Sequence, residues 1–165
     1  MKLTHLYKRS LAFFMAAVMM FVLAGCSSAK EQQNEEYVSS VKKLVDSAVN
    51  HTRTMKTVDE KFNCHNESSA NNYIHTLDEL SDIYQTLVKL DATDKFSDLD
   101  DELSIKASSA LSDISELKTL VTYAAEKEDD TLYQNDKQKL LDDYETNYSG
   151  LVDLSLEIQT RWRND

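Results

Sequence analysis

Beyond residue 25 the chain contains a single glycine, Gly150, and it contains no proline anywhere. A β-sheet protein of this length needs turn residues that adopt positive φ or fix a bend, and this chain lacks them. Every catalytic or phosphate-binding motif built on clustered glycines is excluded for the same reason. What remains is an all-helical chain, and 165 residues suffice for one domain but not for two.

The apolar residues agree, because they recur every three or four positions instead of alternating. The first seam runs Val41, Leu44, Ala48, His51, Met55, Val58 and Phe62, predicting a helix over Glu31–Asn63 that stops at the asparagines of 63–66. A second helix starts at a Ser68 or Ser69 cap and carries Tyr73, Leu77, Leu80, Tyr84 and Leu87, with Ile74, Ile83 and Leu90 widening the stripe, ending near Asp91. The third opens at Ser97, whose spacing to Asp100 fits a capping box, and presents Leu99, Leu103, Ala107, Ala110, Ile114, Leu117, Val121 and Ala124. The fourth opens at Thr131, paired with Gln134, and presents Leu140, Tyr144, Tyr148, Leu151, Ile158 and Trp162. Four stripes on short links predict an antiparallel up-down-up-down four-helix bundle; the alternative is a three-helix bundle with the first helix extending as a stalk. In the bundle topology the first and third links meet at one end, gathering Cys64, His65, Glu67, Glu126, Glu128, Asp129 and Asp130.

The N-terminus has a different character. MKLTHLYKRS is short and basic, Leu11–Leu23 is an apolar run, and the run ends in Leu23-Ala24-Gly25-Cys26. About 13 apolar residues span about 20 Å as a helix, short of the roughly 30 Å hydrocarbon core, so the pattern reads as a secretory leader and not a permanent membrane span. Leu23-Ala24-Gly25-Cys26 resembles the lipobox of bacterial lipoproteins, a resemblance that covers residues 1–26 only. It implies cleavage between Gly25 and Cys26, with a diacylglycerol thioether on the sulfur and, in many bacteria, a further acyl chain such as palmitate on the new N-terminus. Two or three chains anchor durably where one is marginal. The expected organisation is a leader at 1–25, a lipidated Cys26 with a flexible tether at 26–34, and a helical bundle at 35–165. The expected location is extracytoplasmic, at the membrane surface of a bacterial envelope.

Charge narrows the partners. The leader holds three of the 18 basic residues and none of the 29 acidic ones, leaving 15 basic against 29 acidic side chains and a net charge of −14. Such a chain repels nucleic acid and anionic lipid headgroups. The expected partners are the membrane, through the anchor alone, and another envelope protein.

Candidate sites are few. Cys64 is the cysteine left once Cys26 carries lipid, which makes it a candidate for an intermolecular disulfide. Adjacent Cys64 and His65 lack the spacing that clamps a tetrahedral ion, the inward Glu-x-x-His pairs of a di-iron bundle are absent, and no Cys-x-x-Cys-His for haem occurs. The acids of 91–102 lack the glycine and terminal glutamate of a calcium loop and suit a helix start. No metal site and no cofactor beyond the lipid is therefore expected. Tyr73, Tyr84, Tyr144 and Tyr148 are candidates for a lateral binding groove, since a phenol buries its ring while keeping a polar handle. With no hydrolase, phosphate-loop or metalloprotease motif, the expected role is a non-enzymatic binding or interaction module. The alternatives are a small-ligand carrier with a cavity between the helices and a passive envelope spacer.

Overall fold

The computed structural model describes residues 26–164, with side chains from residue 29 onward. The expected leader and the side chain of Cys26, the expected lipidation site, lie outside that range. Four helices follow one another: α1 (Cys26–Asp59), α2 (Glu67–Val88), α3 (Ser97–Lys127) and α4 (Thr131–Arg163). Residues from Gln33 onward form one compact unit. Residues 26–32 lie within helix α1, in the segment where a tether is expected. Ala29, Lys30, Glu31 and Gln32 are all strong helix formers, with no glycine or proline to interrupt them.

Contacts across the helices give the topology of the Gln33 unit. On α1, His51 lies 3.7 Å from Glu79 of α2, while Asp59 accepts a 3.0 Å hydrogen bond from Tyr73, so the two run in opposite directions. Asp78 of α2 pairs with Lys118 of α3 at 2.5 Å, and Asp113 of α3 accepts from Asn147 of α4 at 3.0 Å. Thr52 and Asp59 of α1 meet Tyr144 and Tyr133 of α4, again antiparallel. The fold is an all-α, up-down-up-down four-helix bundle. The first helix belongs to it and is no free stalk, because Tyr37, Val38, Val41, Val45, Ala48 and Met55 are all buried.

On α2 and α3 every residue named in the two sequence seams is buried, apart from the three flanking apolar residues, which are half-buried. The seam of α1 differs by one position at every second step: the buried series is Val41, Val45, Ala48, Thr52, Met55, and Leu44 and His51 sit at its margin. Thr52 holds the central place because its hydroxyl finds a partner inside. On α4 the buried residues are Tyr133, Tyr144, Leu151, Leu154, Ser155 and Ile158, with Leu140, Tyr148 and Trp162 half-buried beside them.

The helix starts depart from the expected caps. Asn66, not a serine, caps α2 by accepting from the Ser69 amide at 3.1 Å. Ser97 and Asp100 form no capping box: Phe96 holds the cap position, Ser97 is already helical, and the Asp100 carboxylate accepts from the Tyr37 hydroxyl at 2.8 Å. At α4 the Asp129 carboxylate takes both the amide and the hydroxyl of Thr131, at 2.9 and 2.5 Å, while Gln134 reaches Asp130. Glu128 closes α3 with φ 52°, the left-handed conformation that glycine adopts more easily.

Candidate functional site

Three polar and aromatic clusters are spaced along the bundle, and each is assembled from more than two chain segments. At one end Tyr37 stacks on Phe96 with 5.4 Å between ring centroids, and Arg161 makes a two-pronged pair with Asp98 at 2.6 and 2.9 Å. That pair holds the Asp98 carboxyl below the usual range.

In the middle, Thr52, Tyr144 and Tyr84 form a hydroxyl chain, with 2.5 Å from Thr52 to Tyr144 and 2.7 Å from Tyr144 to Tyr84. All three side chains are buried. Burial pushes the Tyr144 phenol up to about 12, even though the hydrogen bonds from Thr52 and Tyr84 act the other way. Burial, reinforced by Tyr144, pushes Tyr84 well above the ordinary tyrosine range. Tyr148 stacks on Tyr144 at 6.0 Å and is half-buried.

At the opposite end Asp59 receives the hydroxyls of Tyr73 and Tyr133 and lies 3.4 Å from the Lys137 ammonium. The two tyrosines meet edge to face at 6.4 Å, Phe62 packs against both, and Lys137 lies 4.8 Å above the Tyr133 ring. Burial raises both phenols, and the neighbouring carboxylate adds to that, so they stay neutral donors. Asp59 itself is only 12% exposed.

The four candidate groove tyrosines do not come together on one surface. Tyr73, Tyr84 and Tyr144 point into the core, and Tyr73 belongs to the Asp59 cluster, apart from the Tyr84–Tyr144–Tyr148 group. The reason is satisfaction: each buried hydroxyl has an internal partner, and no buried side-chain polar atom among the described residues lacks one. Sequence reasoning missed two of those partners, Thr52 and Asp59. Both continue the 4,3 spacing of the α1 seam as 52, 55 and 59, and their polar character hid them.

Cys64 lies in the α1–α2 link, is 8% exposed and forms no disulfide within the chain. The two links at that end do meet, with His65 4.0 Å from Glu128. Among the described residues no three His, Cys, Asp or Glu side chains are grouped to hold a metal ion. None of the described helices is long and apolar enough to cross a membrane.

Two depressions lie on the sides of the bundle. One, of about 390 Å³, runs between α1 and α4 over a floor of Met55, Leu141 and Tyr144. Lys56, Asp59, Glu60, Asp142 and Glu145 stand around it, and Lys56 pairs with Glu145 at 2.5 Å across it. The other, of about 410 Å³ between α3 and α4, has only polar lining, including Asp113 and Asp143. Burial raises the Asp113 carboxyl above its usual range, against the bond from Asn147. The interior that a carrier would hold open is instead filled by tyrosine and aliphatic side chains. Compared with protein-family models, curated proteins and solved structures, the chain matches none.

Proposed function

We propose that this chain is a lipid-anchored envelope protein whose four-helix bundle works as a non-enzymatic interaction module. The observation that carries the reading is the internal pairing of the polar groups. The phenols, Thr52 and Asp59 satisfy one another in the core, so these groups are spent on holding the bundle together. The chemistry offered outward is acidic, in keeping with the net charge of −14 beyond the leader. The lipobox-like Leu23-Ala24-Gly25-Cys26 supports an anchor at the membrane surface, and the charge supports a bundle held off anionic headgroups. Native mass spectrometry on the protein extracted gently from its host's membranes tests this role. A bound protein subunit at defined stoichiometry is the expected result. A bare lipidated monomer contradicts it, and a retained small molecule would favour a carrier.

A further inference from the structure

At the end of the bundle where Asp59 lies, the helices are not held equally. There α2 buries Ala70, Tyr73, Thr76 and Leu77, and α3 buries Leu117, Val121 and Ala124, so each packs a side chain inward at every turn. On α4 the stretch 131–143 buries Tyr133 alone, whereas Tyr144, Leu151, Leu154, Ser155 and Ile158 are buried beyond it.

The cause lies in the seam of α4. Spaced by four, three and four, its inward positions are Tyr133, Lys137, Leu140 and Tyr144, so a lysine falls where a bundle helix ordinarily carries an apolar residue. Asp59 answers it from α1, at the place where the 52, 55, 59 series continues. The two charges are 3.4 Å apart and incompletely shielded, with Lys137 21% and Asp59 12% exposed. Such a pair returns little beyond the desolvation it costs, so it closes the core less firmly than two apolar side chains. The polar contacts that tie 131–143 to another helix converge on Asp59, which accepts from the Tyr133 hydroxyl and faces Lys137. The remaining support is the Tyr133 ring, 4.7 Å from Phe62 and 6.4 Å from Tyr73, and the half-buried Leu140 and Leu141.

We infer that 131–143 is a separately opening strap of the bundle, latched to α1 through Asp59. Low burial and a single polar hub make the stretch a local unit whose opening costs less than unfolding of the whole. Release from Asp59 frees Tyr133 and Lys137 together, and lifting the Tyr133 ring uncovers the faces of Phe62 and Tyr73 that it packs against. The closed strap thus conceals an aromatic surface. It belongs to the bundle itself and operates whether or not a partner is bound.

Hydrogen–deuterium exchange on the full chain, read by mass spectrometry under conditions where reclosing outruns exchange, tests the strap. Amides of 134–143 should exchange at least about tenfold faster than those of 151–158 once intrinsic rates are divided out. Two variants separate local from global opening. Ile158→Val, a mild change at a fully buried position, weakens the bundle as a whole and should speed exchange in 151–158 about fivefold while leaving 134–143 unchanged. Asp59→Asn keeps an acceptor for the phenols but removes the charge facing Lys137, and should speed exchange in 134–143 about tenfold. Equal protection along α4, or a rise in 134–143 matching that in 151–158 when Ile158→Val is introduced, shows one cooperative helix and overturns the strap. Fast exchange in 134–143 that Asp59→Asn leaves unchanged overturns the latch.

Discussion

The hydroxyls of Tyr84 and Tyr144 meet 2.7 Å apart in the middle of the bundle, joined to Thr52 and shut away from solvent. Three hydroxyls carry three protons, so the chain satisfies its members only when each donates or accepts in turn. Tyr144→Phe removes the middle member and strands both neighbours, costing about 2 kcal/mol in urea unfolding, whereas Tyr84→Phe leaves the Thr52–Tyr144 bond and costs about 1 kcal/mol. The double variant should cost less than the sum, because the shared bond is lost only once. Additive effects would contradict a single linked chain.

Asp59 is the hub of the cluster at the other end. Asp59→Ala leaves two buried phenols without their acceptor and Lys137 without its counter-charge, for a loss of about 3 kcal/mol. Asp59→Asn keeps an acceptor oxygen and should cost clearly less. Equal losses in the two variants, measured by denaturant unfolding, would show that an acceptor oxygen of the same size is not enough and that the negative charge carries the whole effect.

The phenols make the alkaline limb of stability steep. Tyr144 titrates at about 12 when folded against 10.0 when exposed, and Tyr37, Tyr73, Tyr84 and Tyr133 are raised further, with burial the main cause in each. An acid whose folded pKa is raised keeps its proton longer in the native state. Its stabilisation is therefore full below pH 10 and is lost as the pH climbs through the folded value. The urea midpoint should fall steeply above pH 10. A midpoint that stays level from pH 9.5 to 11.5 would contradict the burial of these hydroxyls.

Gly150 lies inside α4, where a Cβ would meet the Lys106 side chain at 3.2 and 3.3 Å. The obstacle is a flexible aliphatic stem and not backbone. Gly150→Ala should therefore keep most of the helix-propensity gain, stabilising by up to about 1 kcal/mol in thermal unfolding. Destabilisation would mean that the Lys106 stem cannot move aside.

Much of this architecture is legible in the sequence, and where it is not the reason is physical. The seams of α2 and α3 are apolar throughout, so periodicity alone identifies their buried faces. On α1 the core face passes through Thr52, and a reading by hydrophobicity slips to Leu44 and His51. At the start of α3 the Asp100 carboxylate goes to Tyr37, sixty-three positions away, a contact that no local pattern encodes. The burial of the candidate groove tyrosines has a related reason. Whether a phenol faces solvent depends on the partner awaiting its hydroxyl, and those partners come from other helices.

The lipid anchor proposed at Cys26 is tested most directly by the intact mass of the protein from its host's membrane fraction. The predicted result is a chain beginning at Cys26, heavier than its polypeptide by a diacylglyceryl group with or without an amide-linked acyl chain, and released to the aqueous fraction when Cys26→Ala is introduced. A membrane-bound chain that retains residues 1–25, or one that begins at Cys26 without added lipid mass, would contradict it.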